Sequence, residues 1–179
     1  DGGNYPGNIV INGTLANATT AVQQWNGVIT GSGTFNQQGT GKLTLAGNSS
    51  FTGITNIADD KTLQVGVRTN AGVLGTGTVN VGDGSYLIFD RTGDSTVANT
   101  IVSAGTNDTS TVMVRSSGAS GQGSFNFNQT NADLAGDIVV DKARLLATGG
   151  LGTADIDVLD NGQLSVSIGA NTLSNDISI

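Results

Sequence analysis

The chain has 179 residues, 28 of them Gly, and a formal charge of −7 from 14 acidic and seven basic side chains. Every acidic residue is Asp, and Gly, Thr, Asn and Ser supply nearly half of the sequence, so the Glu, Lys, Arg and Gln that populate surface helices are scarce and a helical bundle is excluded. The absence of His and Cys excludes an imidazole base, a thiol nucleophile, a disulfide and a His/Cys zinc site, and the acidic balance opposes binding to nucleic acid.

Taken in order, the chain is a succession of short runs with two-residue alternation. Asn8 to Leu15, Lys42 to Leu45, Thr62 to Val65, Thr78 to Val81 and Gln163 to Val166 each read as a strand with one apolar face. Leu43, Leu45, Leu63 and Val65 are therefore expected in the core, and Thr44 on a solvent face where even Asp is tolerated. The runs close on Gly47-Asn48, Gly66, Gly82-Asp83-Gly84, Gly93-Asp94 and Asn161-Gly162, residue types that accept the positive φ of tight turns. A strand and turn every ten residues or so suits sandwiches, barrels and solenoids alike.

Internal repetition favours the solenoid. Gly31 to Asn36 returns as Gly121 to Asn126, Leu74 to Val81 as Leu151 to Val158, and Thr96 to Val102 as Thr172 to Ser178. These phrases divide the chain into one unit at 31–103 and a second at 121–179, with 1–30 as the tail of a preceding unit. The whole of 1–179 is expected to form a single β-solenoid segment with coils of about 20 to 25 residues and a length near 40 Å. The start at Asp1 and the strand-like end at Ile179 read as those of an internal piece of a longer rod.

The stretch Gly39-Thr-Gly41-Lys-Leu43-Thr-Leu45-Ala-Gly47-Asn48-Ser-Ser-Phe51-Thr-Gly53-Ile-Thr-Asn-Ile57, continuing to Leu63-Gln-Val65-Gly66, resembles the autotransporter-associated β-strand repeat. Phe51 stands where that family usually has Tyr, Ile54 where a second Gly is common, and Asp59-Asp60-Lys61 where an Asn-Ala-Gly turn is usual. In the second unit Asn131 to Gly136 stands for a longer phrase. The resemblance implies a right-handed parallel β-helix from a type V secretion passenger, displayed outside a Gram-negative cell by a C-terminal barrel that the sequence does not contain. It also implies an adhesin or self-association scaffold, or a stalk carrying a separate effector. The partners it implies are another copy, or a host-surface protein or glycan.

Sites for chemistry are sparse. Gly31-Ser-Gly33 and Gly75-Thr-Gly77 lack the third Gly and the Lys-Ser/Thr ending of phosphate loops, and Gly82-Asp83-Gly84 is no complete calcium nonapeptide. Carboxylate pairs such as Asp59/Asp60, Asp155/Asp157 and Asp90/Asp94 could serve a polysaccharide-degrading activity, but their spacing gives it little support, and a solvated strand face explains Asp155/Asp157 better. No catalytic, cofactor or metal residue is nominated, and no small-molecule substrate is expected. Sequons begin at Asn12, Asn17, Asn48, Asn107 and Asn128, as chance allows in so Asn- and Thr-rich a chain. Trp25 and Tyr86 are expected to cover core, with sugar stacking the alternative. Outward Thr and Asn ladders are the one surface feature suited to a partner.

Overall fold

The computed structural model describes residues 3–116, 123–167 and 173–179. The first two circuits of the chain hold β1 (Gly3–Tyr5), β2 (Ile9–Val10), β3 (Thr14–Asn17), β4 (Gln23–Trp25), β5 (Ile29–Thr30) and β6 (Thr34–Gln37). The next three hold β7 (Leu43–Leu45), β8 (Ile54–Ile57), β9 (Thr62–Thr69), β10 (Val79–Val81), β11 (Tyr86–Arg91), β12 (Ser95–Val97) and β13 (Ile101–Ser103). Then follow β14 (Thr111–Arg115), β15 (Ser124–Phe127), β16 (Asp137–Asp141), β17 (Arg144–Ala147), β18 (Asp155–Leu159) and β19 (Gln163–Val166), with β20 (Ile177–Ser178) last. No helix occurs among the described residues.

Every strand pairs in parallel with the strand one circuit away, which makes the chain a β-solenoid of eight turns. One side is a nine-stranded sheet, β1-β4-β7-β9-β11-β14-β16-β18-β20. A second side carries β2 and β5 near the N-terminus and β12-β15-β17-β19 farther on, and a third carries β3-β6-β8-β10-β13. On the nine-stranded side the register runs Gly3, Gln23, Leu43, Leu63, then Leu87, Val112, Ile138, and finally Ile156 and Ile177. The steps within the first group are 20 residues each, and later steps vary from 18 to 26 with the length of the loops between strands. Eight steps at strand spacing give a rod of about 38 Å.

The core is a single column. Leu43, Leu45, Leu63 and Val65 are buried as expected, continuous with Phe35, Phe51, Leu87, Ile101, Val112, Phe125, Ile138 and Leu145. One inner row begins polar: Asn17 Nδ2 donates to buried Gln37 Oε1 at 2.8 Å before the row turns apolar at Ile57 and Val81. Gln37 in turn donates to the Gly39 and Gly41 carbonyls, so the amide serves the backbone at that corner.

The glycines do two different jobs. Gly66, Gly84 and Asn161 have positive φ, as the turn reading requires, whereas Gly47, Gly82, Gly93 and Gly162 do not. Gly13, Gly33, Gly53 and Gly77 form a column at one corner, and a Cβ on each of the last three would overlap the carbonyl oxygen of the glycine one circuit earlier. Glycine is needed there for close approach of backbone to backbone.

The matched phrases share a local corner conformation but not a position on the solenoid. Gly75 and Gly152 both have positive φ, and one circuit later Asn99 Nδ2 donates to Gly77 O while Asn175 Nδ2 donates to the equivalent Ala154 O. The strand that follows is β10 on the third side in one case and β18 on the nine-stranded side in the other. Likewise Phe35 lies on the third side and Phe125 on the second. Gly121, Gln122 and Thr172 lie outside the described residues.

Candidate functional site

The residues that carry the repeat resemblance are structural. Leu43, Leu45, Phe51, Ile57, Leu63 and Val65 fill the core. Gly39, Gly41, Gly47 and Gly53 each sit where a Cβ would strike the backbone of the preceding circuit. Asn48 Oδ1 accepts from Gly72 N at 2.9 Å, and Gly66 opens a bulge at φ 96°.

The acid pairs weighed from the sequence separate into unlike environments. Asp59 Oδ1 accepts from Asp83 N, and neighbouring Asp60 is an exposed turn residue at positive φ. Asp155 and Asp157 flank the buried Ile156 on the outer face, with Asp137 directly opposite Asp155 on the neighbouring strand. Partial burial, then the charges of Asp157 and Asp155, raise the Asp137 carboxyl above its ordinary value. Among the described residues no group of three or more carboxylates is placed to hold a metal ion. Asp94 is exposed and caps Ser124 N, while Asp90 is fully buried.

Besides Asn48, two sequons have their Asn tied into the fold. Asn17 is buried against Gln37, and Asn107 Nδ2 donates to Asp83 Oδ2 at 2.9 Å. Asp83 also accepts from the amides of Thr106, Asn107 and Thr109. Desolvation opposes its ionisation, but these bonds outweigh it and hold the carboxyl below the ordinary aspartate value. Trp25 is half-buried and packs at 5.6 Å from Phe35, as the core reading expects. Tyr86 is 45% exposed on the outer face, a correction that follows from the alternation of β11, whose inward residues are Leu87 and Phe89.

That same alternation turns Thr44, Gln64 and Asp90 outward, yet none is open to solvent, so the expectation of an exposed Thr44 is also corrected. They lie in a groove of about 230 Å³ whose walls include Lys42, Arg68 and Arg115. Arg115 lies beside Asp90 in register and grips its Oδ2 with Nε and Nη2, both at 2.9 Å. Arg68 Nε stands 3.5 Å from the same oxygen. Gln64 joins the cluster: its Oε1 accepts from Lys42 Nζ at 3.1 Å and Arg115 Nη2 at 3.3 Å, and its Nε2 donates to Gly66 O at 2.8 Å. Asp90 Oδ1 is buried without a hydrogen-bond partner.

A bulge builds this groove. Val65 pairs with Phe89 and Thr69 with Arg91, so Gly66, Val67 and Arg68 on β9 face Asp90 alone on β11. Buried Arg91 secures the loop that follows, donating to Gly72 O, Asn70 O and Ser95 Oγ. Sequence reasoning missed this cluster because its contacts join residues 22 to 51 apart, which meet only through circuit length. The one available signal was Asp90-Arg91, two charges directly after the apolar run Leu87 to Phe89 inside a strand.

Searches of protein-family models, curated proteins and solved structures yield no match to this chain.

Proposed function

We propose that the chain is a non-enzymatic β-solenoid segment of an autotransporter passenger, displayed on the surface of a Gram-negative cell, whose lateral faces serve adhesion or self-association. The resemblance over Gly39 to Gly66 supplies the family. The observation that carries the adhesive reading is an amide ladder on the outer face of the third side. Asn56 Nδ2 donates to Asn36 Oδ1 and Asn80 Nδ2 to Asn56 Oδ1, each at 2.8 Å. Each bond orients the next amide, so partly exposed donors and acceptors are presented in a fixed row at strand spacing. Such a row suits a partner that offers repeating polar groups, another copy or a glycan chain. Beads coated with the chain should aggregate, and Asn56→Leu, which interrupts the row at its centre, should reduce the aggregation. Beads that stay dispersed at every loading would reassign the segment as a stalk.

A further inference from the structure

The groove beside Asp90 holds more positive charge than its one carboxylate requires. Arg115 balances the charge of Asp90 through two charge-assisted bonds to Oδ2, so by charge alone no second cation is required, although Oδ1 keeps no hydrogen-bond partner. Lys42 and Arg68 are nevertheless brought there, so three of the seven basic residues of a chain with net charge −7 surround a single Asp. Like charges gathered in one small groove repel, and an oxyanion seated between them relieves that repulsion.

The surplus cations are held in place. Gln64 fixes Lys42 from below, and the bulge re-aims Arg68 into the groove. Arg68 has φ 62°, the left-handed region where Gly or Asn costs less than a long side chain, and its side chain is 63% exposed. Backbone strain of this kind concentrates at ligand-binding positions.

We infer that the groove binds an isolated carboxylate carried by an otherwise neutral glycan chain, with Arg68 and Lys42 as its contacts. Size and charge choose the ligand. The groove is smaller than the roughly 300–1,000 Å³ that encloses a drug-sized molecule, so it takes one charged group presented by a longer chain. The chain's net negative charge repels a densely charged polyanion and tolerates a sparsely charged one. Tyr86 is exposed on the same face of β11, about 13 Å from Asp90 at strand rise, and offers a ring for a sugar face within reach of a short oligosaccharide.

The test is calorimetric titration of the full chain with an N-acetylglucosamine tetrasaccharide in which a single sugar is replaced by glucuronate, beside a neutral N-acetylglucosamine tetrasaccharide, free glucuronate and inorganic sulfate. The uronate tetrasaccharide should bind best, and about 0.5 M salt should weaken it. Arg68→Gln with Lys42→Gln should weaken it about tenfold or more, since each removes a hydrogen bond to a charged group. Tyr86→Ala should weaken the tetrasaccharide and leave free glucuronate unchanged. Both cations are at least partly exposed, so circular dichroism of the double variant should match the parent. No binding, equal binding of the neutral chain, or undiminished binding by the double variant would overturn the inference. Sulfate binding as tight as the tetrasaccharide would reduce the groove to a simple anion site. Bead aggregation without added saccharide reads the adhesive proposal separately, so either can fail alone.

Discussion

Two aspartates at the residue scale respond to pH with opposite sign. Asp83 has its carboxyl lowered from 3.8 by the hydrogen bonds of the 106–109 loop, so it contributes stability above that value and loses it as pH falls through the folded one. Asp137 has its carboxyl raised above 3.8 by burial and by Asp157 and Asp155. Its favourable contribution is therefore present at low pH and lost as pH rises through the folded value. Asp83→Asn should lower the urea midpoint at pH 7, and Asp137→Asn should raise it. Both differences should shrink at pH 3, and a same-sign shift at pH 7 would show that one of the two environments is misassigned. Burial makes a second contrast. Leu43→Asp places a carboxylate in the apolar column at a cost of several kcal/mol. Thr44→Asp instead places its carboxylate at the wall of a groove that Lys42 and Arg115 also line, and should cost clearly less than Leu43→Asp. It should also compete with any anion there. Equal midpoint shifts for the two variants would remove the distinction between the faces.

At the scale of elements, strand faces were legible in the sequence because burial imposes a period of two, and Leu43, Leu45, Leu63 and Val65 lie where that period puts them. Circuit length was less legible. The column Gly7, Gly27, Gly47 and the column Gly13, Gly33, Gly53 repeat at 20 residues, but insertions after Leu63 break the period, and the longer phrase repeat marks corners that fall on different sides. The groove was illegible for a related reason: its cations converge only because a three-residue bulge and unequal circuits bring them into line. The glycine column allows a sharp check. Gly53→Ala drives a methyl into Gly33 O and against the Phe51 ring, so two circuits must separate, at a cost of about 1–3 kcal/mol or more. Gly13, in the first circuit, has nothing within 4 Å of the place a Cβ would take, and Gly13→Ala should be silent. Equal urea midpoints for the two alanine variants would mean that backbone contact between circuits does not set the corner.

The whole molecule is a one-dimensional stack, and each circuit draws its stability from the one before and the one after. The ends differ from the middle. Tyr5, Ile9, Leu15, Gln23 and Trp25 line an open hollow of about 360 Å³ at the first circuits, whereas Leu63, Leu87, Val112 and Ile138 in the middle are sealed on both sides. Opening should therefore begin at the ends, where a circuit has one neighbour instead of two. The single Trp makes this measurable, since Trp25 lies on β4 in the second circuit and packs against Tyr5 and Phe35 of the first two. Its fluorescence reports the N-terminal circuits alone, while far-ultraviolet circular dichroism averages over all of them. In urea the fluorescence midpoint should precede the dichroism midpoint, and amides of β1 to β5 should exchange faster than those of β9 to β16. Phe35→Ala, which removes a buried ring beside Trp25, should widen the gap by pulling the fluorescence transition to lower urea while barely moving the other. Coincident midpoints in both proteins would mean that coupling between circuits outweighs the loss of a neighbour, and that the rod unfolds as one cooperative body.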